Sequence, residues 1–342
     1  MKNDNDKLAG AILCAGFGTR MRPLTDYIAK PAIPFLGLPL AGYSLYALER
    51  AKIRRVGVNT HHKAQTMQKA LSECEFYSGS LRYFHENGEI LGTGGGFREL
   101  FRCLGEPQTT VLCHGDVLSR VDIAQALRMH QNSGAMLSLA LAPRDEAQEL
   151  GNVFCDSLGR IVGLRDASLD SPAPPIHELA FTGIHFIEAE VLEFIPKRGP
   201  SCLVTEVYPK LLARQIPINA IIGTHFLADV GSPERYLRAT QACIADPRLL
   251  AAPPIKRIDK IKIHPSAKIL EPVHLQGDID IAADCVIGPH ACLSGKIVCE
   301  AGTKIARSAV FGAGTVKQNQ ENAICALDYD LVMQENLPYL SK

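Results

Sequence analysis

The sequence predicts an α/β protein in which a doubly wound, Rossmann-like domain precedes a short left-handed parallel β-helix. Short apolar runs alternate with amphipathic segments over residues 1–115, and a six-residue repeat follows residue 262. Strands that alternate with helices form parallel sheets, and a hexapeptide period is typical of β-helices. The predicted division is a first domain over 1–249, a linker over 250–262, the β-helix over 263–318 and a tail over 319–342.

The first domain is predicted from the lengths of its apolar runs, which distinguish strands from helices. The runs short enough for buried strands are Leu8–Cys14, Arg55–Thr60, Leu81–Phe84 and Thr109–Cys113. The amphipathic segments between them predict helices over Leu40–Ala51, Ala64–Leu71 and Gly96–Leu104. Further strands are predicted over 135–142, 152–164 and 181–187, and further helices over 203–213 and 233–245.

The β-helix is predicted from two interleaved series with the same six-residue period. Mostly large apolar residues form the first series: Ile263, Ile269, Leu275, Ile281, Ile287, Leu293, Cys299, Ile305 and Phe311. Small or medium residues follow four positions after each: Ala267, Val273, Ile279, Cys285, Ala291, Ile297, Thr303, Ala309 and Thr315. We expect both series to point inward and to stack on neighbouring coils, about three in number.

Composition excludes several classes of function. The chain has 342 residues, 46% of them hydrophobic, and its 36 basic residues balance 36 acidic ones. A nucleic-acid-binding protein usually carries a basic excess. No apolar run reaches 18 residues, and Met1–Lys7 lacks the apolar core of a signal peptide. We therefore expect a soluble, cytoplasmic protein without nucleic-acid or membrane partners.

Metal and disulfide sites are not indicated by the cysteines or by the adjacent histidines. The eleven cysteines include no C-x-x-C pair and are odd in number. We expect them to be small buried hydrophobic residues rather than a disulfide or zinc framework. His61 and His62 follow the second predicted strand and are interpreted as histidines at a loop edge.

Candidate binding residues follow the predicted strands, where ligands bind in parallel sheets. The segment Ala15-Gly16-Phe17-Gly18 follows the first strand, residues 92–96 follow the third, and Asp116 follows the fourth. Small residues let backbone N–H groups approach phosphates closely. The cations Arg20, Arg22 and Lys30 come soon after, as a triphosphate would require. The pattern is neither a P-loop nor a good dinucleotide fingerprint.

The stretch Cys14–Thr25, followed by Lys30-Pro31, resembles the signature loop of sugar-1-phosphate nucleotidyltransferases, G-x-G-T-R-x-x-P-L-T with a later K-P. Other segments similar to those of the family follow in order: Leu91–Gly95, Gly115-Asp116, Leu150–Val153, Thr182–Ile184 and Asp229–Pro233. The hexad repeat resembles the tails of mannose-1-phosphate guanylyltransferases and glucose-1-phosphate adenylyltransferases. The resemblance covers about residues 8–318.

This resemblance implies an enzyme that transfers a nucleoside monophosphate from an NTP to a sugar-1-phosphate and releases pyrophosphate. Arg20 is then expected on the β- and γ-phosphates, Lys30 at the α-phosphate, and Asp116 and Asp229 on Mg²⁺. The implied nucleotide site comprises Ala15, Gly16, Gly18, Thr19, Arg20, Gly92, Thr93 and Gly94. The implied sugar side comprises Gly151, Asn152, Asp166, Thr182, Gly183 and Glu206.

Several of these residues also have purely structural interpretations. Asp229 is placed to cap the helix that begins near Pro233, and Arg22 is a candidate for a structural ion pair with an acid. Glu206 lies in the first turn of a predicted helix, where the helix dipole alone favours an acid.

The sequence departs from the family pattern on the sugar side. The family usually carries E-K-P after the turn at Gly159, and its lysine holds the sugar phosphate. Here Asp166 stands in for the glutamate, but Ala167 occupies the lysine position. If this segment is extended, we expect the adjacent Arg165 to point to the opposite face. Leu227 replaces a frequent aromatic residue.

Three hypotheses follow from the pattern and its departures. The first is an active transferase, with GTP and mannose-1-phosphate as the first choice of substrates and uridylyl or thymidylyl transfer as the alternative. The second is a catalytically silent regulatory subunit that binds a nucleotide-sugar, which the loss at Ala167 favours. The third is a bifunctional enzyme whose β-helix also transfers acyl groups. The β-helix is otherwise expected to serve regulation or assembly into a homo-oligomer.

Overall fold

The computed structural model describes residues 7–143, 152–164, 167–168, 177–223, 226–253 and 259–335. Their packing separates two compact units. The first unit comprises the chain up to Phe17, Ala29–Ala32 and Leu40–Ala228, and the second comprises Gly18–Ile28, Ile33–Pro39 and the chain from Asp229 onward. The residues before Leu40 are thus divided between the units. The domain limits predicted from the sequence place all of them in one domain, and those limits stay a prediction.

Strands and helices are numbered along the whole chain. Strands β1–β14 are Leu8–Leu13, Pro34–Phe35, Leu38–Pro39, Arg55–Thr60, Ser80–His85, Thr109–His114, Val117–Ser119, Leu137–Pro143, Asn152–Cys155, Ile161–Leu164, Ala167–Ser168, His177–Glu188, Ile218–Ile222 and Leu227–Asp229. Helices α1–α6 are Leu40–Arg50, Ala64–Ser72, Gly92–Cys103, Ile123–Ser133, Tyr208–Ala213 and Pro233–Ala245. None of the helices in these described ranges is long and apolar enough to cross a membrane.

The first unit is built on a ten-stranded sheet with the order β11-β10-β9-β12-β6-β1-β4-β5, to which β8 joins through β12 and β13 through β8. Strands β1, β4, β5 and β6 are parallel, which confirms the predicted doubly wound arrangement. The sheet is nevertheless mixed, because β12 runs antiparallel to β6, β8 and β9. The carboxyl ends of the four parallel strands therefore share one edge with the amino-terminal half of β12.

The core of this unit forms where α3 packs on the parallel strands. Phe97, Leu100 and Leu104 lie in one buried cluster with Ala9 and Leu112. Apolar residues at helical spacing place one face of α3 on the sheet. Because β1 is buried on both faces, it is a continuous apolar run rather than an alternating one.

The structure corrects two predicted helices. Helix α3 begins at Gly92 rather than at Gly96, so the glycine-rich segment is the first turn of the helix and not a free loop. Glycine is a poor helix former, but the carbonyl of Ser201 accepts hydrogen bonds from the backbone N–H groups of Gly94, at 2.8 Å, and Gly95, at 3.3 Å. The predicted helix over 203–213 is a π-helical turn, Leu203–Val207, followed by α5.

The second unit contains a parallel β-helix. Its strands β15–β24 are Lys260–Ile263, Lys268–Ile269, Val273–Ile281, Val286–Ile287, Ala291–Cys299, Lys304–Ala306, Ala309–Val316, Gln320–Glu321, Ala323–Ala326 and Leu331–Gln334. They form two ladders, β15-β17-β19-β21-β23-β24 and β16-β18-β20-β22. Ile269 pairs with Ile287 and Ile287 with Ile305, so one coil spans three hexads. Strand β24 runs antiparallel to β23 at the end of its ladder.

The six-residue period holds as far as Ile305 and then shifts by one residue. Leu293 pairs with Val310, and Cys299 pairs with Val316. Val310 and Val316 therefore occupy the core, whereas the predicted Thr315 is exposed and Phe311 is buried outside that core cluster. The cause is a shorter turn, because Val310 follows Ile305 by five positions, whereas Leu293 follows Ile287 by six. At the other end Ile263 is 45% exposed, not buried as predicted.

Candidate active site

The first glycine-rich loop begins directly at the end of β1. The backbone N–H of Cys14 donates a 2.6 Å hydrogen bond to Oδ1 of Asn59, the penultimate residue of β4. Ala15 is buried, whereas Gly16 is exposed and a Cβ atom added there would meet nothing within 4 Å. The loop is thus fixed where it leaves the strand and open where a ligand would approach its backbone.

A buried carboxylate, that of Glu86, connects this loop to the start of α3. Its Oε1 accepts a 2.7 Å hydrogen bond from Nδ2 of Asn59, and its Oε2 accepts a 2.8 Å bond from the backbone N–H of Leu91. Glu86 and Asn59 are both almost fully buried. A Cβ atom added at Gly96 would lie 2.7 Å from Nδ2 of Asn59. The pair therefore sets the relative position of both glycine-rich segments.

The first turn of α3 packs against the segment that precedes the π-helical turn. Gly92 has a φ of +69°, and a Cβ atom there would lie 2.6 Å from the carbonyl oxygen of Ser201. At Gly94 a Cβ atom would lie 2.8 Å from Oγ of Ser201. Glycine is thus required at both positions. At Gly92 both the positive φ and the close contact require it, and at Gly94 the close contact alone does.

The Thr93 hydroxyl joins the same contact. It accepts a 2.9 Å hydrogen bond from the backbone N–H of Leu203 and donates to Sγ of Cys202 at 3.7 Å. Burial acts to raise the pKa of the Cys202 thiol, but hydrogen bonds from Thr205, Thr93 and Val204 together lower it. The Thr93 side chain is therefore engaged within the protein, where it joins the first turn of α3 to the π-helical turn.

Lys30 and Asp116 form an ion pair at the edge of the sheet. Nζ of Lys30 lies 2.7 Å from Oδ2 of Asp116, with 8% of the lysine side chain and 35% of the aspartate side chain exposed. Burial opposes ionisation of Asp116, but the charge and hydrogen bond of Lys30 outweigh it and lower the pKa of the carboxyl group. A buried ammonium group next to an accessible carboxylate can stabilise negative charge that develops beside it.

Arg20 and Asp229 belong to the second unit and lie close to Gly231. A Cβ atom added at Gly231 would lie 2.8 Å from a guanidinium nitrogen of Arg20 and 3.0 Å from Oδ1 of Asp229. Asp229 also pairs with Arg235 at 2.9 Å. The helix cap is not Asp229 but Ser232, whose hydroxyl accepts from the backbone N–H of Arg235.

The cation-rich loop around Arg20 is held by local contacts. The Thr25 hydroxyl donates a 3.0 Å hydrogen bond to the carbonyl of Gly18, which has a φ of +63°. Arg22 pairs with Asp26 at 3.2 Å, as the structural interpretation of Arg22 expects. Thr19 and Arg20 themselves are exposed, which leaves their side chains accessible to phosphates.

The predicted sugar-side residues differ in their surroundings. Thr182 is buried and its hydroxyl donates to the carbonyl of Ala140, so its side chain belongs to the sheet. Gly183 lies next to His114. Glu206 is exposed and accepts a hydrogen bond from the backbone N–H of Cys202, at the start of the π-helical turn.

The remaining sugar-side predictions fall at the limits of what the structure describes. Gly151 and Asp166 lie outside the described residues, and Asn152 is described only as the first residue of β9. Ala167 lies in β11, where it pairs with Leu164 of β10.

A buried polar chain beside Asp116 was not predicted from the sequence. His114 is the last residue of β6, and its Nε2 lies 3.4 Å from Nε2 of His185 in β12. Nδ1 of His185 is hydrogen-bonded to the Tyr208 hydroxyl. Burial, and secondarily His114, hold the pKa of His185 well below its usual value. A polar residue at the end of an apolar strand is the only signal that the sequence offers for His114.

The carboxylates suit a metal whose other ligands come from substrate. In the described ranges no three His, Cys, Asp or Glu side chains converge as a metal site. Mg²⁺ usually takes one or two protein carboxylates and completes its coordination with phosphates and water. The partly exposed carboxylate of Asp116 fits that requirement.

Comparison with known proteins gives a consistent result. The nucleotidyl transferase family matches residues 9–245. A mannose-1-phosphate guanylyltransferase of Mycobacterium tuberculosis is 31% identical over 295 residues, which cover 84% of this chain and 78% of that protein. A UTP–glucose-1-phosphate uridylyltransferase of Synechocystis is 27% identical and covers 68% of this chain and 63% of its own.

A crystal structure from Bacillus anthracis, assigned as a glucose-1-phosphate thymidylyltransferase, superposes with a TM-score of 0.58. It is 20% identical and covers 68% of this chain and 93% of its own. At that identity the likeness establishes the fold alone.

Proposed function

Because this chain belongs to the nucleotidyl transferase family, we propose that it transfers GMP from GTP to mannose-1-phosphate and releases pyrophosphate. The reaction class, nucleotidyl transfer to a sugar-1-phosphate, follows from the family and from its named relatives. The choice of GTP and mannose-1-phosphate is supported by the Mycobacterium relative and by plant relatives of the same name. The uridylyltransferase relative supports the alternative base.

The observation that carries the proposal is the Lys30–Asp116 pair at the carboxyl edge of the sheet. In the proposed reaction, a phosphate oxygen of the sugar-1-phosphate attacks the α-phosphorus of the NTP. The bond to the bridging oxygen breaks, and its electron pair leaves with pyrophosphate. Since no protein nucleophile takes part, the protein acts through positioning and charge neutralisation. Lys30 neutralises charge at the α-phosphate, and Arg20 binds the leaving phosphates.

A divalent cation is generally required in this family, and we propose that Asp116 and Asp229 hold Mg²⁺. When bound, the ion would neutralise phosphate charge and orient the triphosphate. The charge and hydrogen bond of Lys30 lower the pKa of Asp116 despite its burial, which favours the carboxylate form that a cation binds. Backbone groups of Ala15, Gly16, Gly18 and Thr19 would receive the phosphates, and Gly92–Gly94 would contact the base.

We propose that the sugar binds beside Gly183, with Gly151, Asn152, Asp166 and Glu206 as further candidates. Thr182 contributes through its position in β12, since its hydroxyl is already bonded within the sheet. No cation is assigned to the sugar phosphate, because Ala167 occupies the family's lysine position.

The deciding measurement is pyrophosphate release in the presence of Mg²⁺, with each common NTP tested against a panel of sugar-1-phosphates. Release with GTP and mannose-1-phosphate supports the proposal, and release with another pair corrects the substrates but not the reaction. If folded protein is silent with every pair, the regulatory-subunit hypothesis replaces the enzyme, and Ala167 becomes the first residue to restore to lysine. Turnover of acetyl-CoA would indicate the bifunctional alternative.

A further inference from the structure

A hydrogen-bonded chain of three side chains runs through the buried part of the sheet to the candidate sugar side. The Tyr208 hydroxyl bonds to Nδ1 of His185, and Nε2 of His185 lies 3.4 Å from Nε2 of His114. Tyr208 and His185 are fully buried. The two histidine rings also pack on the Phe181 ring, whose centroid lies 4.7 Å from that of His185 and 5.9 Å from that of His114.

The hydrogen-bond partners determine which nitrogens carry protons. Within the described ranges the Tyr208 hydroxyl bonds to no atom other than Nδ1 of His185. If the hydroxyl accepted a hydrogen bond from an N–H group at Nδ1, its own O–H group would be buried without an acceptor, which costs about 1–3 kcal/mol. The hydroxyl therefore donates, and Nδ1 of His185 accepts.

The remaining protons follow from this step. A neutral imidazole carries one proton, so the proton of His185 lies on Nε2 and is donated towards Nε2 of His114. His114 in turn carries its proton on Nδ1. Tyr208, although it lies 94 positions further along the chain, thus fixes which face of the His114 ring is a donor.

The donor face of His114 adjoins Gly183. A Cβ atom added at Gly183 would lie 3.0 Å from Cβ and 3.4 Å from Nδ1 of His114. Gly183 has a φ of +74°, a conformation that other residues rarely adopt. Because β12 runs antiparallel to β6, Gly183 lies at the same sheet edge as His114 and Asp116. The buried Gly183 backbone therefore lies directly against the His114 ring, on the side of the nitrogen that carries the proton.

We propose that His114 recognises a sugar hydroxyl by donating a hydrogen bond from Nδ1, and that His185 and Tyr208 are positioning residues that fix this donor. This inference rests on the proposed function and adds to it a determinant of sugar specificity. The ligand hydroxyl competes with the contacts that His114 makes in the free protein. A site that recognises a hydroxyl rejects analogues without it, because its polar group would be left unpaired.

The test compares Tyr208→Phe and His114→Phe with the wild-type protein. Both variants keep an aromatic ring. The matched control is Tyr77→Phe, which likewise removes one tyrosine hydroxyl, in this case one that donates to the backbone carbonyl of Ile53. We expect KM for the sugar-1-phosphate to rise about tenfold in both test variants, the loss of one hydrogen bond, with KM for the NTP unchanged. The control retains both values.

A series of sugar-1-phosphate analogues, each lacking one hydroxyl, separates recognition from a structural effect. One analogue is expected to lose about tenfold in kcat/KM with the wild-type protein and nothing further with His114→Phe. If every analogue loses as much with the variants as with the wild type, His114 contacts no hydroxyl and the inference is overturned. Equal rises in both KM values overturn it as well, since they indicate a general distortion.

Failure of the proposed function is recognised separately. A wild-type protein that turns over no substrate pair contradicts the transferase, and calorimetric titration with sugar-1-phosphates and nucleotide-sugars then tests the inference without turnover. Weaker binding to Tyr208→Phe than to wild type supports it. Equal binding, or no binding of any member of the panel by the wild type, overturns it.

Discussion

At the scale of single residues, the charge of Lys30 is the contribution that a substitution tests most directly. We expect Lys30→Ala to lower turnover by about two to three orders of magnitude, because charge at the α-phosphate loses its partner in the transition state. Steady-state kinetics at saturating substrate measure the effect. Lys69→Ala, which removes an exposed lysine of α2, is the control and retains turnover. Near-normal turnover in folded Lys30→Ala protein would remove the lysine from the mechanism.

Glu86 allows a second prediction, which separates positioning from chemistry. Both partners of the Glu86 carboxylate, Nδ2 of Asn59 and the backbone N–H of Leu91, are hydrogen-bond donors. Glu86→Gln keeps the size of the side chain but turns its own donor, the amide NH₂ group, towards one of them. We expect a loss of about 1–3 kcal/mol in the free energy of unfolding. KM for the NTP is also expected to rise, since both glycine-rich segments lose their common support.

Denaturant unfolding and steady-state kinetics measure these two effects. Exposed Glu73 supplies the matched control, Glu73→Gln, for which we expect no change in either quantity. A Glu86→Gln protein with wild-type stability would show that the buried carboxylate is not a support.

These residues also mark what a sequence can predict. Lys30 and Asp116 could be singled out from the sequence, because each follows a strand or a glycine-rich loop, but their ion pair was not predicted and their roles stay predictions. Glu86, His185 and Tyr208 could not be singled out, since their partners lie 27, 71 and 23 positions away and meet them only in the folded chain. A buried polar residue carries no local pattern that distinguishes it from an exposed one.

At the scale of elements, the start of α3 shows tertiary packing overriding helix propensity. We expect Gly92→Ala to destabilise the protein by at least about 2 kcal/mol more than Gly88→Ala. Both glycines have positive φ, but an added Cβ atom meets the Ser201 carbonyl at 2.6 Å in the first case and nothing within 4 Å in the second. Equal losses in denaturant unfolding would contradict the close packing of this turn.

Strands were predictable where helix limits were not. A run of buried apolar residues such as β1 or β6 marks a strand whatever surrounds it, whereas a glycine run gives no sign that a distant carbonyl will accept its N–H groups. The π-helical turn before α5 has the same origin. The turn ends at Val207, and the next residue, Tyr208, is bonded through its hydroxyl to His185 of β12, which is distant in sequence.

The coils of the β-helix show a different limit of sequence-based prediction. A six-residue period identifies the core residues only as long as every turn between the strands has the same length. We expect Val316→Ala to cost about 2 kcal/mol of stability as a core truncation. Thr315→Ala, at the position that the period selects, is expected to stay within about 0.5 kcal/mol of wild type. The reverse order of losses in thermal or denaturant unfolding would restore the unbroken six-residue register.

At the scale of the whole molecule, two segments before Leu40 pack with residues that lie far along the chain. Gly18–Ile28 and Ile33–Pro39 belong to the same compact unit as the β-helix. The Tyr27 ring stacks on that of Tyr329 at 5.2 Å. Tyr236 of α6 contacts Phe35 edge-on and donates a hydrogen bond to the carbonyl of Pro34. The β-helix unit thus contains the loop that carries Arg20.

This arrangement predicts that a substitution in the β-helix unit changes nucleotide binding. Tyr329→Ala removes the ring that Tyr27 stacks on, an interaction worth about 0.5–1.5 kcal/mol, and so loosens the loop that presents Arg20. We expect KM for the NTP to rise about two- to tenfold, while KM for the sugar-1-phosphate stays constant. Tyr329→Phe keeps the stacked ring and retains the wild-type value. If the alanine variant binds NTP normally, the stacking does not support the loop, and the β-helix contributes to stability or assembly alone.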